Sequence, residues 1–158
     1  MRVLLVCLGV CVAVTSVAEA QDDVAARVRT ADRVVVATVS DVASRFAVNQ
    51  FGDRLIVSDV TLSVDEAMKG AFAPVLSMTV EGGTVGDLTL QVSDMPMVRR
   101  GERLVLFLRE RGAGRHEPVG RGDGIERIDR AGRLGRAGLS LDELRTRTRD
   151  AARRGGAR

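Results

Sequence analysis

Aromatic side chains are scarce in this 158-residue sequence. It has no tryptophan, no tyrosine and four phenylalanines, Phe46, Phe51, Phe72 and Phe107. Proteins that bind single-stranded nucleic acid stack the bases on aromatic rings. Proteins that bind sugars by stacking also need aromatic side chains, which this sequence largely lacks. The composition therefore argues against a nucleic-acid partner, although the net charge is +3.

The residues of nucleophilic and metal chemistry are almost as rare. The only cysteines are Cys7 and Cys11, the only histidine is His116, and no G-x-S-x-G nucleophile motif is present. With one histidine, and no cysteine after residue 11, the chain is poor in the usual zinc ligands, and no calcium-loop pattern occurs. We therefore expect a protein without enzymatic activity, cofactor or metal. A hydrolase using His116 is the alternative from the enzyme class, but between Arg115 and Glu117 this ring is expected in a solvated, charged loop.

Glycine, by contrast, is abundant, and one cluster has the look of a phosphate-binding loop. Gly82, Gly83 and Gly86 follow an apolar run. Phosphate loops place a helix N-terminus after their glycines, whereas here a strand pattern follows. The cluster therefore predicts a hairpin connection that uses positive φ angles. The Arg-Gly-Asp triplet at 121–123 matches a cell-adhesion motif, but a segment rich in glycine and arginine produces such a triplet readily.

Residues 1–20 have the three-part layout of an export signal. One early charge precedes an apolar run at 3–14, and Ala-Glu-Ala at 18–20 supplies a small-x-small cleavage site. We predict cleavage after Ala20 and export to the periplasm or the medium. The run is shorter than the roughly 20 residues of a membrane-spanning helix, so no stable membrane insertion is expected. Both cysteines would leave with the signal, and no disulfide would hold the mature domain.

Charge is distributed unevenly along the chain. Residues 21–110 hold 10 basic and 13 acidic residues, whereas residues 111–158 hold 13 arginines and 7 acidic residues. Such a C-terminal region can bind an anionic surface or a glycan, which is kept as an alternative function. Because Lys69 is the only lysine, an arginine-biased composition is the simpler explanation of this charge.

Patterns of period two predict a mainly β domain over residues 21–136. The clearest strand is 55–68, with Val60, Leu62 and Val64 on its core face, and its length predicts a bend or a bulge. Further strands are predicted at 33–42, 75–80, 88–93 and 103–109, with short ones near 116–120 and 125–129. The first of these should be buried on both faces at its start, and 103–109 is apolar on both faces. Residues 43–53 are predicted to form a loop.

Two helices are predicted to flank the strands. A short one at 22–32 is capped by Asp22 or Asp23 and carries Val24 and Val28 on one face. The fold class is then mainly β: a small antiparallel, OB-like Greek-key barrel with a short N-terminal helix and a C-terminal helix.

The C-terminal helix, over residues 137–154, has the strongest start signal in the chain. Ser140 and Glu143 have the spacing of a capping box, and Leu139 and Leu144 have the spacing of a hydrophobic staple. Residues 155–158 are predicted to be a disordered tail.

A loop at 94–102 is the candidate binding site. It places Met95, Met97, Arg99 and Arg100 close together in the sequence. Flexible thioethers beside fixed charge suit an adaptable contact with another protein. The alternative is that the methionines plug the open end of the barrel. We expect an exported protein-binding module, and the sequence does not identify its partner.

The run from Ala31 to Leu108 resembles small secreted bacterial proteins with an OB-like barrel, which are themselves similar to the netrin-like domain of tissue inhibitors of metalloproteinases. The shared features are Ala-Asp ahead of a valine strand, a long second strand that ends in Lys69-Gly70, and Gly101-Glu102 ahead of an apolar strand. The resemblance implies the fold and a protease-associated or inhibitor-like role. The animal inhibitors chelate the protease zinc through an N-terminal cysteine, whereas the predicted mature N-terminus here is Gln21. That mechanism therefore does not carry over.

Overall fold

A computed structural model describes residues 15–136 and 138–155 and confirms a mainly β protein with two helices. The elements in chain order are α1 (Thr15–Thr30), β1 (Arg33–Val48), β2 (Arg54–Lys69), β3 (Val75–Glu81), β4 (Gly83–Val85), β5 (Leu88–Leu90), β6 (Arg103–Glu110), β7 (Arg115–Pro118), a 3-10 helix (Arg121–Gly124), β8 (Ile125–Arg127) and α2 (Leu141–Gly155). Most of the predicted export signal and residues 156–158 of the predicted tail lie outside the described residues.

Six strands form one sheet, and β4 and β5 form a separate two-stranded ribbon. Strand β1 pairs antiparallel with β2 and β6, β2 pairs with β3, and β6 pairs with β7 and β8. Strands β3 and β7 are joined in parallel through Ser77–Arg115 and Met78–His116. Each of β1, β2, β3, β6 and β7 therefore has a strand on both sides.

The long β1–β2 pair is bent by bulges, as its length predicts. Its register shifts at Val34/Val35, at Val36/Ala37 and between Val39 and Asp41. Bulges strengthen the local twist of a strand. The twist lets β1 pair with β6 over its first residues while β2 pairs with β3 near its middle.

Buried apolar side chains form two clusters, which lie on opposite faces of β1 and β6. Val35 and Ala37 of β1 belong to the first cluster, and Val34 and Val36 belong to the second. Strand β6 divides in the same way, with Leu104, Leu106 and Leu108 in the first cluster and Val105 and Phe107 in the second. The predicted burial of both strands on two faces is confirmed.

The two helices cover the second cluster. Val24 and Val28 of α1, four residues apart on one face as predicted, are buried there together with Leu144 of α2. Leu134 and Leu139, from the segment before α2, complete the packing. Both helices therefore belong to the packed domain.

Three expectations about α1, β1 and β5 were wrong. Residues 15–21 already belong to helix α1, so the aspartates at 22 and 23 lie inside the helix and do not cap it. Residues 43–48 continue β1 instead of forming a loop, because a backbone ladder holds them as far as Val48–Arg54. The expected strand at 88–93 is only the three residues of β5, and Leu88 is 61% exposed rather than on a core face.

The true turn between β1 and β2 is made by Asn49. Its side-chain oxygen accepts hydrogen bonds from the amides of Phe51 and Asp53, both at 2.9 Å. Asparagine characteristically closes turns in this manner. The turn therefore occupies residues 49–53, whereas the loop expected from the sequence covered residues 43–53.

The glycine cluster forms a hairpin, as predicted. Residues 86 and 87 connect β4 to β5, and Gly86 has a φ of 59° at the first turn position. Gly83 is required for another reason: a Cβ atom there would lie 2.3 Å from Ser58 Oγ and 2.4 Å from Ser44 Oγ. The ribbon thus packs directly against β1 and β2.

The predicted capping box at the start of α2 is confirmed. The Ser140 amide donates to Glu143 Oε2 at 2.7 Å, and the Glu143 amide donates to Ser140 Oγ at 3.2 Å. The bond from the Ser140 amide, and a second one that Ser140 Oγ donates to the same carboxylate oxygen at 2.9 Å, lower the pKa of the Glu143 carboxyl. The helix begins at Leu141, so residues 138–140, placed in the helix by the sequence, precede it.

Ser140→Ala is expected to destabilise the protein by about 1 kcal/mol, because the Glu143 amide loses its acceptor. Urea unfolding measures this as a lower midpoint with an unchanged slope. Thr146→Ala, on an exposed position of the same helix, is the control and should change stability by less than about 0.5 kcal/mol. An unchanged midpoint for Ser140→Ala would contradict a contribution of the cap to folding.

A bidentate ion pair connects α2 to β2. Arg145 donates from Nε and Nη2 to the two carboxylate oxygens of Glu66, both at 2.8 Å. These hydrogen bonds lower the pKa of Glu66, against a smaller opposing effect of burial. Because the pKa is lower in the folded chain, the stabilisation is present above the ordinary value of 4.5 and is lost as the pH falls through the folded value.

Glu66→Gln should therefore destabilise the protein at pH 7 and much less in acid. Urea midpoints of the wild type and the variant, measured from pH 7 downwards, should converge as the pH falls below 4.5. Glu110→Gln, which alters an exposed carboxylate at the end of β6, is the control. A difference between wild type and Glu66→Gln that stays constant across this pH range would refute the coupling.

Candidate binding surface

The loop predicted to bind lines a cleft of about 760 Å³. One wall is made by residues 91–99, which follow β5. The other wall comes from later in the chain and includes Gly120, Asp123, Arg127 and Arg136. The two walls meet because β8 pairs with β6, which follows the loop directly.

The four predicted binding residues occupy different environments. Met95 is 8% exposed and packs in the first core cluster, as the plug interpretation expects. Met97 is 38% exposed and lines the cleft with Arg99. Arg100 is exposed beside the cleft and is not part of its lining. The accessible part of the predicted site is therefore Met97, Arg99 and Arg100.

Arg121 holds the loop in place. It donates to Asp94 from Nε at 2.5 Å and to Glu81 from Nη2 at 2.7 Å. These bonds lower the pKa of Asp94 and raise that of Arg121. The Gly122 amide also donates to the Asp94 carbonyl oxygen, and a Cβ on Gly122 would lie 2.1 Å from that oxygen. The Arg-Gly-Asp triplet thus has a structural role in anchoring the loop.

Most charges in the cleft neutralise each other. Arg127 pairs with Glu102 at 3.3 Å and Arg136 pairs with Asp123 at 2.6 Å. Among the residues that the structure describes, no acidic side chain pairs with the guanidinium of Arg99, whose backbone amide alone bonds to Glu102. Among the described lining residues of the cleft, Arg99 therefore presents a positive charge that is free to meet a ligand.

His116 lies in strand β7 and is 3% exposed, so the expectation of a solvated ring in a loop was wrong. Its Nδ1 lies 3.1 Å from the Ser77 carbonyl oxygen, and its Nε2 is buried with no hydrogen-bond partner in the described structure. The residue borders a second cleft, of about 380 Å³. Because Nε2 is closed off from solvent, this ring is poorly placed to act on a substrate there.

Much of the C-terminal positive charge is also paired. Arg111, Arg121, Arg127, Arg136 and Arg145 each contact a carboxylate. Arg153 and Arg154 lie exposed in the last turn of α2, where cations are favoured by the helix dipole. Ion pairs and the end of α2 thus give a structural role to many of the arginines in the C-terminal region.

Two of the features that carry the resemblance, Ala31-Asp32 and Lys69-Gly70, have structural roles. Lys69 Nζ donates to the final carbonyl groups of α1, at Val28 (2.8 Å), and to Ala31 (2.6 Å). Asp32 accepts a hydrogen bond from the Glu110 amide at 2.9 Å, and a Cβ on Gly70 would lie 2.9 Å from the Asp32 carbonyl oxygen. These positions fix the junction of α1, β1, β2 and β6 and take no part in the cleft.

Neither a protein-family model nor a curated protein sequence matches this chain. Within residues 15–136 and 138–155, no three histidine, cysteine or acidic side chains are grouped as metal ligands. Neither helix of that part combines the length and the apolar character needed to cross a membrane.

The sequence predicted one wall of the cleft and missed the other. Arg127 and Arg136 carry no signal of their own, because arginine is common throughout the C-terminal region. Only the pairing of β6 with β8 brings them to the loop. Acidic residues at 94–102 and arginines at 121–136 were the only signal in the sequence that the two segments meet. Without the strand topology, such opposite charges cannot be distinguished from a chance occurrence.

Proposed function

We propose that this protein is an exported, non-enzymatic module that binds a protein partner through Met97, Arg99 and Arg100, hereafter the rim surface. The observation that carries the proposal is the free guanidinium of Arg99 beside an exposed thioether, on a loop that other residues hold rigidly. Rigid presentation lowers the entropy lost on binding. A protease is one candidate partner, through the resemblance to inhibitor domains.

We also infer that the five mutually paired strands close into an OB-like Greek-key barrel. The supporting observation is the cycle of pairings from β1 through β2, β3, β7 and β6 back to β1. The first core cluster fills the space inside that cycle. Loops at the mouth of such a barrel are the usual binding positions of the fold, and we infer that the rim surface lies on one of these loops.

A matched pair of triple variants tests the binding proposal. Met97→Ala/Arg99→Ala/Arg100→Ala removes the rim surface without touching the buried Met95. Arg149→Ala/Arg153→Ala/Arg154→Ala removes three exposed charges from α2 as the control. A partner captured from envelope or medium fractions is purified, and its Kd is measured by calorimetry against each variant.

The rim variant should weaken binding at least tenfold, which corresponds to about 1.4 kcal/mol, while the α2 variant binds like the wild type. Equal affinity of the rim variant and the wild type would remove the proposal. Loss of binding only in the α2 variant would favour the alternative, an anionic surface or glycan bound by the C-terminal arginines. That alternative rests on the exposed Arg153 and Arg154 at the end of α2.

A further inference from the structure

A small apolar cavity lies behind the binding loop. It measures about 190 Å³ and is lined mainly by apolar residues, among them Val42, Val80, Leu90, Val92 and Val98. Met95, Pro96 and Met97 line both this cavity and the larger cleft, so the loop is the partition between them. The cavity reaches the surface, because the exposed Met97 and Thr84 belong to its lining.

The two serine hydroxyls of the cavity already have hydrogen-bond partners. Ser44 Oγ and Ser58 Oγ are 2.9 Å apart, and Ser58 Oγ also donates to the Gly82 carbonyl oxygen at 2.7 Å. The Thr84 amide donates to Ser44 Oγ at 3.3 Å. An apolar group that enters therefore breaks none of these hydrogen bonds. Glu81, the one charged residue of the described lining, is held by its ion pair with Arg121 at 2.7 Å.

The size of the cavity limits its occupant. Pockets for complete small-molecule ligands usually measure about 300–1,000 Å³. A volume of about 190 Å³ instead suits one aliphatic or aromatic side chain, inserted as the buried anchor on which a protein interface depends.

We propose that the partner is an acidic segment that inserts one large apolar side chain into this cavity and places carboxylates next to Arg99 and Arg100. This inference rests on the proposed function and adds the chemistry of the partner. Charge complementarity selects an acidic segment, because Arg99 meets no acidic side chain in the described structure and Arg100 is exposed beside it. The thioether of Met97 adapts to the shape of the anchor.

The test uses methionine methyl resonances as reporters. The predicted mature chain contains four methionines, Met68, Met78, Met95 and Met97, which are assigned by single Met→Leu substitutions. The probe is a synthetic peptide with three acidic residues on each side of a central leucine. In three control peptides, the leucine is replaced by alanine, the acidic residues are replaced by lysine, or the leucine is moved from the centre to one end.

The leucine peptide should shift the Met95 and Met97 signals saturably at concentrations up to about 1 mM and leave Met68 unchanged. The alanine peptide should bind at least tenfold more weakly, because the buried apolar area is lost. Arg99→Ala should weaken the leucine peptide about threefold to fivefold, more at low salt, and Arg153→Ala should not.

Three results would overturn the inference: no saturable shift, equal binding of the leucine and alanine peptides, or tighter binding of the lysine peptide. Shifts caused by phosphatidylglycerol vesicles but by no peptide would assign the surface to lipid and overturn it as well. If a purified partner depends on the rim surface while no acidic peptide binds, the inference fails and the proposed function survives. If neither the purified partner nor the acidic peptide needs the rim surface for binding, the inference and the proposed function both fail.

Discussion

Glu126→Leu is expected to lower the free energy of unfolding by about 3–5 kcal/mol, because it leaves the buried guanidinium of Arg27 with only the exposed Asp23, at 3.3 Å, as a charged partner. Arg27 of α1 donates from Nη1 to Glu126 Oε1 of β8 at 2.9 Å, and the two side chains are 9% and 1% exposed. Arg27 also lies 5.0 Å from the ring centroid of Phe107. Urea unfolding at neutral pH measures the loss.

Adding Arg27→Met to Glu126→Leu should recover most of that loss. Apolar residues of similar volume commonly replace a buried ion pair with little change in stability, or with a gain. Arg29→Met, an exposed change on the same helix, should be nearly neutral. The account of this pair fails if the double variant is no more stable than Glu126→Leu alone, or if Glu126→Leu itself is neutral.

Leu144→Ala is expected to cost about 2–5 kcal/mol, since it empties a fully buried position. Leu144 has no exposed surface and lies in the second core cluster with Val24 and Val28 of α1. Truncation leaves a cavity between α2, α1 and the outer face of β6. Thermal or urea unfolding checks the value.

The control for Leu144→Ala is again Thr146→Ala on the exposed side of α2. It should change stability by less than about 0.5 kcal/mol. If both variants were equally mild, α2 would not be docked on the domain. The arginines of α2 would then be freer to act as a tail, and the alternative function would gain support.

Periodicity predicted the strands that bury a face. Val60, Leu62 and Val64 of β2 alternate with polar residues and all three are buried, and the continuous apolar run of β6 reflects its two packed faces. The capping box of α2 was equally predictable, because its signal is local. Each of these elements is determined by interactions between residues that are close in the sequence.

The errors occurred where the reason is not local. The second half of β1 interrupts its apolar residues with Ser44 and Arg45, and the antiparallel ladder to β2 holds it extended as far as Val48–Arg54. His116 is buried because β7 fits between β3 and β6, which its charged neighbours in the sequence do not indicate. The second wall of the cleft was missed for the same reason.

Hydrogen–deuterium exchange of the mature domain, with and without its purified partner, tests the proposed binding surface most directly. Bound partner should slow amide exchange within residues 93–100 and in the β4–β5 ribbon, and should leave α2 unchanged. The ribbon is included because Gly83, Thr84 and Leu90 line the apolar cavity. Protection confined to residues 141–155, with none in the loop, would contradict the proposal.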